Sequence, residues 1–423
     1  MTSTPAFMLD PARFSPETFL RDFWQKRPVL IRNPWAAWAN PLEPDELAGL
    51  ACEEGVESRL ITGPREALRL ENGPLPEARF ASLGAEPWTL LVQAVDQQVP
   101  DVAALIEPFR FVPDWRIDDV MISYATDGGG VGPHYDQYDV FLIQGLGRRR
   151  WRVGPHCDAS TPTAPHADLR LLADFEAEGD WVLEPGDILY IPPGFAHDGV
   201  AVGTDCMTYS IGFRAPSRAE LIEGWAIHCA QALGDDDRYA DPDLGTPANP
   251  LQANPGQITP AALDRLHAMM RAALDDRAAF ARWFGSFTSL PKYADTDPAA
   301  TDWRPDMPAD PLGVREALAL GVPLVRNPAS RFVFIEPESP DTERGTERGA
   351  EQGIALFVDG QEFLCAEPLA PLARSLCAAS TFTLDPALAQ APGAIALLVA
   401  LIDQGSLTFD EGDDGDDQEE WDD

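Results

Sequence analysis

Apolar positions recur at two different periods along this 423-residue chain, and the change of period divides it. Near the start, Ser15 ahead of Pro16 is a helix-start signal, because a hydroxyl caps free N–H groups and proline fits the first turn. Phe19, Leu20, Phe23 and Trp24 then share one face, and "PVLIRN" reads as a first strand. Through the centre, β-type runs follow one another: "DVMISYAT", "DVFLIQ", "RRRWRV", "DWVLEPGDILYIPP" and "CMTYSIGF". Glycine- or proline-rich turns separate them. Short strands in series predict a β-sandwich or barrel ending near Phe213.

Beyond Phe213 the period becomes helical. Ser217 and Glu220 form a Ser-x-x-Glu capping box ahead of Leu221, Ile222, Trp225 and Cys229. A loop rich in Asp, Pro and Asn spans about 235–258. Thr259-Pro260 then opens a helix carrying Leu263, Leu266, Met270 and Leu274, and "RAAFARWFGSF" continues in the same style. This helical unit offers a surface for assembly, and its Met and aromatic stripe reads as core or interface packing. After a Pro/Asp linker near 291–311, a third unit combines the helix "GVREALAL", the strands "RFVFIE" and "IALFVDGQEFLCA", and helices around 368–379 and 393–404. Helices with a β-wing suit a winged-helix module. The charged stretch "PDTERGTERGAEQG" reads as a mobile loop. The chain ends in "DEGDDGDDQEEWDD", an acidic tail with nothing to build a core from. The domains are therefore expected at 1–215, 216–290 and 291–410, with the tail at 411–423.

Composition narrows the function classes. No apolar run approaches membrane-spanning length, the longest being "AIALLVALI". The first thirty residues lack a basic start followed by an apolar run, and six cysteines without Cys-x-x-Cys spacing read as reduced thiols, so the expectation is a cytoplasmic protein. The formal net charge is −38. Such a surface repels nucleic acid and anionic membranes and attracts basic partners, although solubility or adaptation to salt would also account for it. Between Arg304 and Asp410 acidic residues outnumber arginines about two to one and lysine is absent, which argues against DNA binding by the third unit.

The candidate chemistry sits in the β-rich part. His134 and Asp136 are two apart, so on a strand their side chains leave one face. His197 follows "EPGDILYIPPGFAH". Two imidazoles and a carboxylate are the ligand set of non-haem Fe(II) oxygenases, with positions left open for a chelating 2-oxo acid and dioxygen. A lone His-x-Asp is a weak signal. Here "GGGVGPHYD" has the Gly-x5-His spacing of a first cupin motif, and Gly186-x5-Pro192-x-Gly194-x2-His197 matches the second. Strand parity sorts the "RRRWRV" arginines: Arg149 shares its face with Trp151 and Val153, while Arg148, Arg150 and Arg152 take the other. An inward Arg149 needs an anion, and the far carboxylate of 2-oxoglutarate is one, an internal Asp or Glu another.

With these residues in view, the chain resembles the JmjC-type 2-oxoglutarate oxygenases, and within them the bacterial ribosomal oxygenases. The likeness is carried by "WRIDDVMISYATDGGGVGPHYDQYDVFLIQGLGRRRWRVG", "LEPGDILYIPPGFAHDGVA" and "FWQKRPVLIR". It implies an α+β protein: a double-stranded β-helix (cupin/JmjC jelly roll) core, a helical dimerisation domain making a homodimer, and a winged-helix-like C-terminal domain. It implies Fe(II) on His134, Asp136 and His197, and 2-oxoglutarate on Arg149. The activity implied is hydroxylation of an arginine on a basic large-subunit ribosomal protein. On the substrate side, Asp127 would face a guanidinium or merely shape a turn before glycine, and Tyr138 is a second candidate. The rival readings are a histidine or lysine hydroxylase of this fold, a cupin using no 2-oxo acid, and a non-enzymatic metal-binding regulator.

Overall fold

The computed structural model describes residues 7–84, 86–293, 303–305, 307–336 and 353–410. Most of the charged stretch 340–353 and all of the tail 411–423 lie outside them. The chain forms two compact units, one of residues 1–215, 291–331 and 375–423, the other of 216–290 and 332–374.

The first unit is built on a nine-stranded sheet. Its strands are β1 (Val29–Ile31), β2 (Ser58–Thr62), β3 (Arg69–Asn72), β4 (Trp88–Val92), β5 (Ile117–Ala125), β6 (Asp139–His156), β7 (Gly179–Leu183), β8 (Ile188–Ile191) and β9 (Phe195–Phe213). They run in the order β1-β8-β6-β9-β5-β4-β2-β3, with β7 also on β6, and every pairing is antiparallel. The long β6 and β9 pair almost end to end and form the centre of the double-stranded β-helix. Short helices α1 (Pro16–Asp22), α2 (Pro44–Leu50), α3 (Glu77–Ala81) and α4 (Pro100–Ala103) connect or flank the early strands. Ser15 caps α1 through the Thr18 N–H, as its position predicts.

Two expectations about strands are corrected. "DVFLIQ" and "RRRWRV" are one strand, because the intervening "GLG" makes bulges and not a turn: the register with β9 shifts at Leu146 and again at Arg148. Gly147 takes a left-handed φ of 58°, and a side chain on Gly145 would overlap the Tyr209 ring. Conversely, "DWVLEPGDILYIPP" is two strands, β7 and β8, split by a turn in which the Asp187 carboxylate accepts the Glu184 N–H at 2.9 Å.

The core of this unit gathers Phe19, Phe109, Phe141, Tyr190 and Phe213, all at most 2 % exposed. Asp139 is buried among them, and its carboxylate takes the Tyr190 hydroxyl at 2.6 Å, the Gln25 Nε2 at 2.9 Å and the Arg116 Nη2 at 2.9 Å. Burial raises its pKa while those three donors oppose it, so the charge is held by partners and not by water. The segment after α1 is thereby tied to the barrel wall.

The unit also includes α8 (Pro311–Leu320), α10 (Pro386–Ala389), α11 (Ala394–Asp403) and a small sheet of β10 (Leu324–Arg326), β14 (Thr381–Phe382) and β15 (Leu407–Phe409). These last three strands are too short to leave a periodic trace. The second unit holds α5 (Arg218–Ala232), α6 (Pro260–Leu274) and α7 (Arg277–Thr288), with an antiparallel sheet of β11 (Phe332–Ile335), β12 (Ile354–Val358) and β13 (Gln361–Cys365). α9 (Ala370–Ala378) follows them in the chain. "IALFVDGQEFLCA" is thus a hairpin, turned at Asp359 and Gly360, where φ is 51° and 82°. The Ser217/Glu220 capping box is present at the head of α5. Trp225, Cys229 and Trp283 form the small core, while α6 buries none of its residues.

Candidate active site

His134 and His197 face each other across an isolated bridge. The His134 N–H donates to the His197 carbonyl at 3.0 Å, and the His197 N–H donates back at 2.8 Å. The two rings lie 4.3 Å apart, centre to centre. Each Nδ1 meets a backbone carbonyl two residues upstream: Gly132 O at 2.8 Å for His134 and Phe195 O at 2.9 Å for His197. A carbonyl only accepts, so Nδ1 carries the proton and both Nε2 lone pairs are left for a ligand.

Asp136 completes the group. Its Oδ2 stands 3.7 Å from His134 Nε2 and 3.6 Å from His197 Nε2, and the three ligand atoms lie within 4.8 Å of one another. The segment from Tyr135 to Tyr138 is not a strand, so simple alternation does not bring Asp136 round. The Asp136 carbonyl instead accepts the Gly194 N–H at 2.7 Å, and Gly194 adopts a φ of 81° that favours glycine. The glycine of the second motif thereby locks the loop of the first. Burial, helped by neighbouring His134, pushes His197 down to about 4, so the ring is neutral near pH 7 and able to bind a metal. Two oriented Nε2 atoms and a half-exposed carboxylate fit a divalent ion with positions open on the Asp136 side.

Arg149 lies 3 % exposed on the same face of β6 as Trp151 and Val153. Its Nε and Nη2 are buried without a hydrogen-bond partner. The Trp151 ring is in turn 5.9 Å from the His197 ring, so the guanidinium shares a wall with the three ligands. A buried cation with two idle donors is costly unless an anion completes it, and the orphaned nitrogens weigh against an internal carboxylate as its partner. The neighbours face outward: Arg148 is exposed, Arg150 Nε meets Asp180 at 2.8 Å, and Arg152 meets Asp198.

The substrate-side candidates stand apart from this cluster. Asp127 is exposed and its Oδ1 accepts the Gly203 N–H at 2.7 Å, a bond that serves the turn. Tyr138 is 41 % exposed. Its phenol is held above its ordinary value by partial burial and then by the Asp118 charge. The glycines after Asp127 serve the fold directly: a Cβ on Gly129 would overlap the Trp88 carbonyl oxygen, and one on Gly130 the Gly199 carbonyl oxygen.

A groove of about 250 Å³ runs along this glycine segment, walled by Ile61, Pro64, Arg65, Leu68, Pro87 and Trp88. It reaches Gly132, whose carbonyl holds the His134 ring. Sequence reasoning missed two residues here. Asp198, next to His197, is fully buried, and its Oδ2 takes Arg65 Nη2 at 2.8 Å. Its position after a motif histidine was the available signal for Asp198. Nothing local marked Arg65.

Comparison with known proteins places this geometry. The JmjC domain family matches residues 104–221, and the ROXA-like winged helix family matches residues 272–408. The ribosomal protein uL16 3-hydroxylase of Escherichia coli is 45 % identical over 323 residues, 75 % of this chain and 81 % of that protein. A probable ribosomal oxygenase of Haemophilus influenzae is 46 % identical over 216 residues, 51 % of this chain and 53 % of that one. The structure of the Escherichia coli ribosomal oxygenase YcfD in complex with cobalt and 2-oxoglutarate superposes with a TM-score of 0.79 at 38 % identity, covering 96 % of this chain and 100 % of that one.

Proposed function

Because this chain belongs to the ribosomal oxygenases of the JmjC class, we propose that it is an Fe(II)- and 2-oxoglutarate-dependent hydroxylase acting on an arginine of a large-subunit ribosomal protein. The counterpart of uL16, the substrate named for the Escherichia coli relative, is the first protein to test. The observation that carries the reading is the orphaned Arg149 guanidinium beside three metal-ligating side chains. A metal alone would not require it, whereas a dicarboxylate that also chelates the metal does.

In this reading His134, Asp136 and His197 hold Fe(II), and Arg149 binds the far carboxylate of 2-oxoglutarate through its fork. The bound iron and cosubstrate supply the oxidising chemistry: 2-oxoglutarate, dioxygen and a C–H bond give succinate, carbon dioxide and a C–OH bond. The chain's own part is placement. The Gly132 and Phe195 carbonyls fix the tautomer and aim of both imidazoles, and buried Trp151 keeps water from the Arg149 wall. Asp127 is our partner for the substrate guanidinium, its rotamer fixed by the Gly203 N–H, with Tyr138 as second candidate. The net charge of −38 favours encounter with a basic protein and disfavours DNA.

Two further parts of the reading concern assembly and location. Leu263, Leu266 and Met270 on α6 are 54 %, 41 % and 64 % exposed, an apolar row that a second copy would cover, and we infer a homodimer through α5 and α6. Among the described residues no helix is long and apolar enough to cross a membrane. A ribosomal substrate supports a cytoplasmic location.

The test is incubation with Fe(II), 2-oxoglutarate, air and peptides tiled across basic ribosomal proteins. The expected result is one added oxygen atom on an arginine with matching succinate. Oxidation confined to histidine or lysine, or metal binding without any 2-oxoglutarate turnover, overturns it.

A further inference from the structure

The groove beside the three ligands is held on two sides by one strand. Its floor is bonded to β9, with the Gly128 N–H on Ala201 O at 3.0 Å and the Ala201 N–H on Gly129 O at 2.9 Å. Its wall, the turn Arg65–Ala67 between β2 and β3, is tied to the same stretch of β9 by Arg65 on Asp198 at 2.8 Å. Asp198 directly follows His197, and alternation turns its side chain away from the metal side. It has no exposed surface, and Arg152, its cross-strand partner on β6, binds the same oxygen. Its other oxygen, Oδ1, is buried without a hydrogen-bond partner. Two guanidinia on one buried carboxylate thus have different positions: Arg65 forms part of the groove wall, whereas Arg152 stands on the barrel strand.

We propose that Arg65 is a positioning residue for the protein substrate: its ion pair with Asp198 sets the distance between the groove wall and the strand that carries His197. The inference rests on the hydroxylase reading and deepens it. Arg65 meets β9 on Asp198, whose side chain leaves the strand on the face opposite to His197. It holds the wall against which the target chain lies, so its loss misplaces the target bond and leaves the cosubstrate site standing. A misplaced target lets 2-oxoglutarate be consumed without hydroxylation of the peptide, the second oxygen atom of dioxygen then leaving as water with two protons and two electrons from a reductant, ascorbate, added to the assay.

The experiment compares wild type, Arg65→Ala, Arg65→Lys and Arg152→Ala, measuring succinate and hydroxylated ribosomal peptide in the same reaction, with thermal melts alongside. Arg65→Ala is expected to raise the peptide KM about tenfold or more and to form several succinates per hydroxylation, with the 2-oxoglutarate KM within about twofold. Arg65→Lys, which keeps the charge but not the fork, should show a smaller rise, and carries the comparison if the alanine variant does not fold. Arg152→Ala should lower the melting temperature and leave the peptide KM within about twofold. A wild-type peptide KM and coupling ratio in both Arg65 variants, or an Arg152→Ala profile equal to that of Arg65→Ala, overturns the proposal alone. A wild-type protein that hydroxylates no ribosomal peptide overturns the functional reading, and this inference falls with it.

Discussion

Arg149 and Trp151 leave the same face of β6, with the guanidinium carbon 5.8 Å from the centre of the indole ring and both side chains buried. The aromatic face gives the cation some compensation, but it satisfies none of the idle N–H donors. A dicarboxylate arriving from the metal side would supply what the ring cannot.

From that pairing follows an asymmetry within the arginine run. Arg149→Ala removes a charge-assisted, desolvated contact, and such contacts are worth about 2–5 kcal/mol. The 2-oxoglutarate KM should rise roughly a hundredfold, while Arg148→Ala, on an exposed side chain, should change it by less than about twofold. Steady-state kinetics on the two variants decide the matter, and equal effects would contradict the assignment.

The metal site makes its own demand. Replacing His134, Asp136 or His197 with Ala should reduce bound Fe(II) from about one per chain to near zero and abolish turnover, with the fold retained. Metal analysis after gel filtration, with circular dichroism on the same samples, checks both halves. Full activity in a chelator-treated sample, or activity restored by zinc alone, would contradict it.

How far the sequence carried these conclusions depended on the range of the signal. The α5 capping box was legible because Ser217 and Glu220 settle it between themselves. The clustering of His134, Asp136 and His197 was legible because cupin spacing records where two loops must turn, and the burial of Arg149 because strand parity is local. "GLG" misled, since glycine serves bulges as readily as turns, and only the Tyr209 ring against Gly145 distinguishes them. Strands β2 to β4 went unread because they are short and find their ladder through β5, far along the chain. The Arg65–Asp198 pair spans 133 residues, and no periodicity encodes a contact of that kind.

The helical unit supplies a test of assembly. Leu266 and Met270 sit on α6, which buries none of its residues, so Leu266→Lys with Met270→Lys should change the stability of a single chain by no more than about 0.5 kcal/mol. If α5 and α6 form a homodimer, light scattering should show two chains for wild type and one for the double variant. A monomeric wild type at micromolar concentration, unchanged on dilution, would rule the dimer out.

The last prediction concerns pH and a carboxyl remote from the three ligands in sequence. Asp96 is 5 % exposed and accepts the Val120 N–H at 2.7 Å. Burial pushes it up from 3.8 to about 7; nearby Asp119 adds to the rise, while the Val120 N–H and Lys292 oppose it. The folded chain therefore keeps a proton that the unfolded chain has already released between about pH 4 and 7. Stability from this group is complete below about pH 4, falls as pH rises through that window and levels off above it. A displacement from 3.8 to about 7, at 1.36 kcal/mol per pKa unit, amounts to no more than about 4 kcal/mol. Asp96→Asn stays neutral throughout and can still accept the Val120 N–H. It should gain stability relative to wild type as pH rises from 4 to 8, with little difference at the acid end. Urea unfolding of both proteins across that range gives the difference directly, which also cancels the titration of every other carboxylate. A difference that stays constant with pH would mean that Asp96 is ionised in the folded protein at pH 5.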